Sequence, residues 1–314
     1  MNIGGSSVDV TTDRPTSTTY KTIESPANEV GFLDDGKAYP IQTHVPARQS
    51  ILGVPIDFVA CDNALKEIEC WRQNKRRGYI CVVNPWSITL SFRDVEMHEA
   101  LIKSSLSIPD GIGITLAAKV LGFRHNGRVK GPDFMFNICE LGRRYGYRHF
   151  LYGGAEGVTA NLAKRLCNTL PGLQVVGTYC PPFRQLTKDE IKVVIDRVNS
   201  KEPDIVWVGL GAPKQEKWML RYRHHIKATA LVGVGAAFDF LSGNITRAPS
   251  WVQRIGCEWV WRLSHEPRRL WHKNILSPLF MMAVLAQRCG MWRKQHSIAR
   301  EVFKKAALIL RADD

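Results

Sequence analysis

The 314-residue sequence lacks the short motifs that most often mark metal, redox or dinucleotide sites. It has no Asp-x-Asp pair, which commonly holds a divalent metal on a nucleotide diphosphate, and none of its eight cysteines forms a CxxC pair of the zinc or thioredoxin type. It has no GxGxxG or P-loop motif either, so it gives little support to a Rossmann dinucleotide site. We therefore expect a site without metal or cofactor, in which the chain's own side chains handle charge.

Long hydrophobic runs and a secretory signal are also missing. The best membrane candidate, residues 275–286, is interrupted by Ser277 and Pro278 and is shorter than the roughly 20 apolar residues that span a bilayer. The N-terminus is rich in Gly, Ser and Thr and slightly acidic, unlike a signal peptide. These absences predict a cytoplasmic, reducing location in which most cysteines are small core residues, and they leave peripheral contact with the inner face of the membrane open.

The formal net charge of +14 is unevenly distributed. Residues 1–46 carry three basic and six acidic residues and lack apolar periodicity, which predicts a disordered leader. Residues 247–311 carry 13 basic and three acidic residues, together with five of the nine Trp. Basic residues beside Trp fit an anionic membrane surface, stacking on nucleic-acid bases, or an ordinary solvated helix face with buried Trp. Composition alone leaves these three alternatives open.

Short apolar strands alternate with longer helices over residues 47–246. This pattern predicts an α/β core with a Rossmann-like, mostly parallel sheet and helices on both of its faces. Strands are expected at 53–59, 79–83, 106–108, 149–152, 173–178, 205–208 and 230–234. Asp62 is expected to cap the first helix. The apolar residues of that helix's buried face are Ala64, Leu65, Ile68 and Trp71. After residue 248 the strands stop, which predicts a basic, Trp-rich helical appendage over residues 247–314.

Polar side chains directly follow several predicted strands, and open parallel sheets bind their ligands at these strand ends. Asn84 suits sugar hydroxyls, although a helix N-cap before Pro85 is its simpler role. Asp110, in a Pro-Asp-Gly turn, suits a general base that deprotonates a hydroxyl, and helix capping is an equal alternative. Arg128 suits a phosphate or a surface salt bridge.

Three glycine-rich turns also join strands to helices. Residues 153–157 and 209–216 place backbone N–H groups and helix N-termini where an anion would bind, or they are simply tight turns. Lys214 and Gln215 stand at the start of the second helix, and Asp239 in the third turn suits a ribose hydroxyl or a loop cap. The candidate nucleotide- and diphosphate-binding glycines are Gly153, Gly154, Gly209 and Gly211.

Two arginines of the basic C-terminal part, Arg262 and Arg269, lie seven residues apart. They share one helix face if the helix continues through Pro267. Two guanidinium groups on one face would neutralise a diphosphate, and a basic face against anionic lipid is the alternative. Because the chain has no Asp-x-Asp pair, we expect these arginines to stabilise the charge of a leaving diphosphate.

In this order, the motifs resemble the WecG/TagA/CpsF glycosyltransferases, glycosyltransferase family 26, over about residues 51–271. The matching pieces are Asn84, Pro109-Asp110-Gly111-Ile112-Gly113, Arg128-x-x-Gly131-x-Asp133, Tyr152-Gly153-Gly154, Gly209-x-Gly211-x-Pro213-Lys214-Gln215-Glu216, Gly235-Ala236-Ala237-Phe238-Asp239, Arg247-Ala248-Pro249, Glu258-Trp259 and Arg262-Leu263-x-x-Glu266-Pro267-x-Arg269. Each piece is common alone, and the ordered set is specific.

The resemblance implies a GT-E fold and an inverting, metal-independent transferase. It implies a UDP-sugar donor and a polyprenyl-diphosphate-linked sugar acceptor at the membrane. Asp110 matches the family's proposed general base. The positions that match polar residues of the sugar and acceptor pocket are Asn84, Arg128 and Gln215.

At the nucleotide end, Asp239 matches a position near the nucleoside, and Arg262 and Arg269 match arginines that close over the diphosphate. Two positions depart from the family pattern, since Val82 stands where teichoic-acid members carry Thr, and His272 replaces a third arginine. We therefore expect transfer of a hexose or an N-acetylhexosamine-type sugar in exopolysaccharide synthesis, as in members of the GumM type. The alternative is transfer of N-acetylmannosamine or its uronic acid, of the teichoic-acid or enterobacterial-antigen type.

Two other function classes compete with a glycosyltransferase. A nucleic-acid-binding protein would use the basic, Trp-rich tail but gives no reason for polar residues at the strand ends. A nicotinamide-dependent oxidoreductase is disfavoured because GxGxxG is absent. We expect no nucleic-acid partner and leave a homo-oligomer open.

Overall fold

The computed structural model describes residues 48–123, 129–267, 271 and 276–290. The predicted leader over residues 1–46 lies outside these ranges, as do Arg128, Arg269 and the end of the predicted appendage. Within them, the α/β prediction is confirmed, since a six-stranded sheet in which every pair of neighbours is parallel is flanked by helices.

The strands of this sheet lie in the order β4-β3-β8-β7-β5-β6. Their bounds are β3 Gly78–Val83, β4 Leu106–Pro109, β5 Arg148–Gly153, β6 Gln174–Tyr179, β7 Ile205–Gly209 and β8 Ala230–Gly233. Strand β3 is buried along its whole length, as expected for a central parallel strand covered on both faces. The sheet therefore presents its carboxyl-terminal ends along one edge, where parallel sheets bind ligands.

Helices cover both faces of the sheet. In chain order they are α1 Cys61–Gln73, α2 Pro85–Ser91, α3 Val95–Ile102, α4 Gly111–Leu121, α5 Gly131–Gly142, α6 Val158–Thr169, α7 Lys188–Ser200, α8 Lys214–Tyr222, α9 Ala237–Ser242, α10 Ser250–Arg254, α11 Glu258–His265 and α12 Ser277–Arg288. Helices α1, α5, α6 and α9 contact one another in series, and α3 contacts both α2 and α8. The predicted apolar face of α1 is buried as expected.

Two local predictions near the start of the core are wrong. The strand expected at 53–59 is only β2, Val54–Ile56, which pairs antiparallel with β1, Gln49–Ile51. Leu52 and Gly53 both have positive φ, which suits the two-residue turn of this hairpin. Asp62 does not cap α1, because the N-cap is Ala60 and Asp62 lies in the first turn, where its charge favours the helix dipole.

The cysteines are less buried than the sequence suggests. All eight are free thiols, and only Cys81 and Cys139 are buried. The prediction that most of them are core residues is therefore wrong. The apolar runs around them supply the core, while the thiols themselves mostly lie at its margin.

After residue 248 the described chain is helical, as predicted, in α10, α11 and α12. Helix α12 packs on α4 and α2 and buries Phe280 and Val284 in the same core as the sheet. Its Gln287 accepts a hydrogen bond from Leu52 N at 2.7 Å and donates one to Ser50 O at 2.8 Å. This helix is therefore a part of the core. In the part of the chain that the structure describes, no helix is both long and apolar enough to cross a membrane.

Candidate active site

The carboxyl ends of β5 and β7 form the switch point of the sheet. The connection after β5 leads outward to β6, whereas the connection after β7 leads the other way to β8. Ligands of open α/β sheets bind in the crevice at such a point. The two predicted glycine-rich turns, after Gly153 and Gly209, flank this crevice.

These two turns approach each other so closely that only glycine fits. Gly153 pairs with Gly209 across the strands and has a φ of +121°. A Cβ built on Gly153 would lie 2.6 Å from the carbonyl carbon of Gly209. Gly154 N donates to Gly209 O at 2.9 Å, which ties the turns together. The glycines at 153, 154 and 209 therefore shape the crevice through the backbone.

Asp110 lies at the end of β4, across the sheet from these turns. It occupies the N-cap position of α4 but makes no side-chain cap bond there. Its Oδ1 instead accepts a hydrogen bond from Gly131 N, at 3.3 Å, where α5 begins. The capping alternative therefore does not account for this carboxylate, which faces the N-terminus of α5. Arg128, the next candidate, lies outside the described residues.

Asn84 lies beside Asp110 at the same edge, because Val83 and Pro109 are paired across β3 and β4. Asn84 is the N-cap of α2, and its Oδ1 accepts hydrogen bonds from Ser87 N at 3.0 Å and from Ser87 Oγ at 3.2 Å. The simpler role considered for Asn84 is thus present in the structure. This cap fixes the orientation of the Asn84 amide at the carboxyl end of β3.

Lys214 and Gln215 begin α8, as predicted, but their side chains differ in exposure. Lys214 is exposed at the helix N-terminus, where an anion is favoured. Gln215 is only 4% exposed, and its Oε1 accepts from Gly211 N at 3.2 Å. Its Nε2 donates to Glu216 Oε1 at 2.9 Å. Gln215 therefore holds the turn that contains Gly211.

Glu216 is a buried acid to which the sequence reading gave no role. It is fully buried, and burial raises the pKa of its carboxyl to about 7. Its Oε2 has no hydrogen-bond partner among the described residues. In the sequence, only its position directly after Gln215 in the 209–216 motif pointed to Glu216.

Arg262 approaches α9, the helix that contains Asp239. Asp239 lies in the first turn of α9, which follows the turn after β8. The guanidinium carbon of Arg262, on α11, stands 5.0 Å from the ring centroid of Phe240. The structure thus brings Arg262 next to the residue that follows Asp239. Arg269, its expected companion, lies outside the described residues.

A cluster of ion pairs and hydrogen bonds ties the C-terminal helices to the start of α5. Arg247 Nη1 lies 2.5 Å from Asp133 Oδ1, and Arg247 Nε lies 3.8 Å from Glu258 Oε1. Lys130 Nζ donates to Gln253 Oε1 at 2.7 Å and lies 3.9 Å from Glu258 Oε2. We call these five residues the α5 tether. Four of them match family motif pieces, or lie within them, without an assigned role.

The α5 tether adjoins the candidate base. Lys130 is the N-cap residue of α5, and the next residue, Gly131, donates to the carboxylate of Asp110. The contact that places α10 and α11 is therefore one residue away from the contact that holds Asp110. Over the described ranges, no three His, Cys, Asp or Glu side chains come together as a metal site. Metal independence stays a prediction for experiment.

The comparisons with known proteins agree on one family. Residues 49–294 match the Glycosyl transferase WecG/TagA/CpsF family. An N-acetylglucosaminyldiphosphoundecaprenol N-acetyl-β-D-mannosaminyltransferase of Bacillus spizizenii is 32% identical over 73% of this chain and 88% of its own. The protein of the same name from Bacillus subtilis is 30% identical over 66% of this chain and 79% of its own. One from Staphylococcus aureus is 23% identical over 76% and 92%.

The match covers the sheet, its strand-end turns and all three described C-terminal helices. It includes every motif piece on which the resemblance was based. The chain is therefore a glycosyltransferase that belongs to the WecG/TagA/CpsF family.

Proposed function

We propose that this enzyme transfers N-acetylmannosamine from a UDP-sugar to N-acetylglucosamine carried on a polyprenyl diphosphate. The names of the similar proteins support this acceptor and this sugar. They favour the mannosaminyl alternative over the hexosyl transfer that Val82 first suggested. Val82, near the end of β3, is only 6% exposed, so the side chain on which the hexosyl expectation was based is mostly buried.

The proposed reaction is a single in-line displacement. Asp110 takes the proton of the acceptor hydroxyl, whose oxygen attacks the anomeric carbon of the donor. The bond between that carbon and the diphosphate oxygen breaks, a glycosidic bond forms with inversion, and UDP leaves. Arg262 and Arg269, with the N–H groups of the glycine-rich turns, stabilise the charge on the leaving diphosphate in place of a metal.

One observation carries the proposal most directly. The carboxylate of Asp110 is turned away from its own helix and held at the N-terminus of α5, beside Asn84 at the same strand edge. The positive end of a helix favours the ionised carboxylate that a general base requires. The switch point, where the donor nucleotide is expected, lies farther along the same edge of the sheet.

We further propose that the enzyme acts as a peripheral protein on the cytoplasmic face of the membrane. The side chains of Trp251, Ile255 and Trp259 are 64%, 58% and 48% exposed on α10 and α11. Trp at an exposed, basic surface is typical of a membrane–water interface. The double variant Trp251→Ser/Trp259→Ser should float poorly with anionic liposomes. Steeply salt-dependent binding to DNA or RNA by the wild type would instead favour the nucleic-acid alternative.

A donor screen tests the proposed function. The full chain is incubated with N-acetylglucosaminyl-diphosphate polyprenol and, separately, UDP-N-acetylmannosamine, its uronic acid, UDP-N-acetylglucosamine or UDP-glucose. We expect a disaccharide lipid with UDP-N-acetylmannosamine and undiminished transfer in EDTA. Transfer from UDP-glucose alone would restore the hexosyl alternative, and abolition by EDTA would contradict metal independence.

A further inference from the structure

Gln215 and Glu216 form a buried, hydrogen-bonded pair next to the turn after β7. Glu216 is fully buried, and its neighbour Gln215 is 4% exposed. Gln215 spans the gap between two groups, since its Oε1 accepts from Gly211 N at 3.2 Å and its Nε2 donates to Glu216 Oε1 at 2.9 Å. The hydrogen bond that Gly211 N donates therefore depends on which end of the Gln215 amide faces it.

The amide of Gln215 packs against glycines on the neighbouring strand end. A Cβ built on Gly233 would lie 3.2 Å from Gln215 Nε2, and one built on Gly235 would lie 3.4 Å from Gln215 Oε1. The amide therefore lies close to the backbone of both glycines, with room for no side chain between them. Glu216 supplies the acceptor that decides which end of the amide faces Gly211.

No cation balances the carboxyl of Glu216 within the described residues. Strand β3 places Cys81 near Glu216, and a thiol carries no positive charge. Strand β8 is apolar along its length. The N-cap and the first turn of α3 contribute two acids, which pair with basic residues of α8. These pairs are Asp94 with Lys217, and Glu96 with Lys217 and Arg221.

We propose that Glu216 is a positioning residue, which acts as a neutral, protonated acid to fix the amide of Gln215 and, through it, the turn at Gly211. Only the effect on donor binding rests on the proposed function, in which that turn holds the donor diphosphate. The fixed geometry itself belongs to the fold. Glu216 touches no reacting atom in this role.

The protonation of Glu216 changes the stability of the fold with pH in a direction that can be measured. Burial raises the pKa of Glu216 to about 7 in the folded protein, above the ordinary value that it regains on unfolding. The folded state therefore holds a proton that the unfolded state loses, and stability falls as pH rises through about 7. Gln is the uncharged isostere, so Glu216→Gln should remove this dependence.

The first test compares thermal unfolding of the wild type, Glu216→Gln and the surface control Glu99→Gln at pH 5 and pH 8.5. We expect Glu216→Gln to exceed the wild type at pH 8.5 by on the order of 5 °C, with a smaller gap at pH 5. Glu99 is exposed and paired with Lys103, so its variant should follow the wild type. If Glu216→Gln unfolds at the same temperature as the wild type at both pH values, the proposal that Glu216 is a neutral acid is wrong.

The second test reads the turn without any substrate. Hydrogen exchange of the Gly211 amide is measured in the wild type, Glu216→Gln and Glu216→Leu. We expect exchange to accelerate at least about tenfold in Glu216→Leu, because Gln215 loses its acceptor, and to stay unchanged in Glu216→Gln. Unchanged exchange in Glu216→Leu would overturn the positioning role.

The third test connects the turn to the donor. UDP binding should weaken about tenfold in Glu216→Leu and stay within about threefold of the wild type in Glu216→Gln, since tenfold corresponds to about one ordinary hydrogen bond. Equal loss in both variants would show that the carboxyl group acts on the ligand itself and would overturn the proposal. A wild type that binds no UDP would contradict the proposed function, while the first two tests still decide the role of Glu216.

Discussion

The two halves of the candidate site, the switch point and the edge at β3 and β4, are built from different parts of the chain. At the switch point, backbone groups of glycine turns do the shaping, and Gln215, which accepts from the backbone of Gly211, is buried. At the other end, the side chains of Asp110 and Asn84 stand at the strand edge, where they accept hydrogen bonds from Gly131 N and from Ser87. The glycine half therefore leaves no room for a side chain at Gly153, whereas the other half depends on the orientation of two polar side chains.

The largest expected effect tests the glycine half. Gly153→Ala would bring a Cβ within 2.6 Å of the Gly209 backbone, at a φ of +121°. We expect loss of about 3 kcal/mol or more in the free energy of unfolding and no measurable UDP binding. Chemical denaturation and calorimetric titration measure the two.

Gly172→Ala is the matched control for that substitution. Gly172 has a φ of +86° but open space around it, so its variant carries the backbone strain without the clash. We expect it to lose only about 1 kcal/mol. Equal losses in the two variants would contradict the importance of the close approach between the turns.

The next effect concerns the α5 tether, which joins α10 and α11 to the start of α5. Arg247 is 10% exposed and pairs with Asp133. Arg247→Met should cost about 2 kcal/mol, because it leaves Asp133 and Glu258 without their guanidinium partner. Arg221→Met, which breaks a half-exposed pair with Glu96, should cost less than about 1 kcal/mol. Equal costs would mean that the tether is an ordinary surface network.

A smaller effect is expected at Arg262, which the structure stacks on Phe240. Arg262→Ala should raise the donor KM about tenfold, equivalent to about 1.4 kcal/mol, while stability changes little. The exposed Arg254 on α10 provides the control, and Arg254→Ala should leave the donor KM unchanged. An unchanged donor KM in Arg262→Ala would remove this residue from the diphosphate site.

The smallest effect concerns Val82, on which the expectation of hexosyl transfer was based. Its Cγ1 lies 3.8 Å from a Cβ built on Gly131, the residue that donates to Asp110. Val82→Thr should shift the ratio of kcat/KM for UDP-N-acetylmannosamine over UDP-glucose by less than about tenfold, within about 1 kcal/mol. A larger shift would make this position a main determinant of the donor sugar.

The sequence predicted the parallel sheet because its strands are short apolar runs, and it placed the polar candidates at their ends. It misjudged the hairpin, because the positive φ of Leu52 is not visible in an apolar alternation. The role of Gln215 in the substrate pocket stays a prediction, and the burial of its amide beside Gly233 and Gly235 follows only from the packing of α8.

The sequence could name the members of the α5 tether but not their contacts. Arg247 and Asp133 are 114 positions apart, so no local pattern predicts that they meet. The same holds for the switch point, which depends on strand order rather than on any single motif. Long-range pairing of charged residues is thus the part that required the structure.

The variant Asp110→Asn tests whether Asp110 is the general base of sugar transfer. The amide keeps the size of the side chain and an oxygen that can accept from Gly131 N but does not take up the acceptor proton. Transfer to N-acetylglucosaminyl-diphosphate polyprenol is measured beside UDP binding, with the exposed Asp189→Asn as control. We predict that kcat falls by about 10²- to 10⁴-fold while UDP binding stays within about twofold. Full turnover by Asp110→Asn would contradict the account.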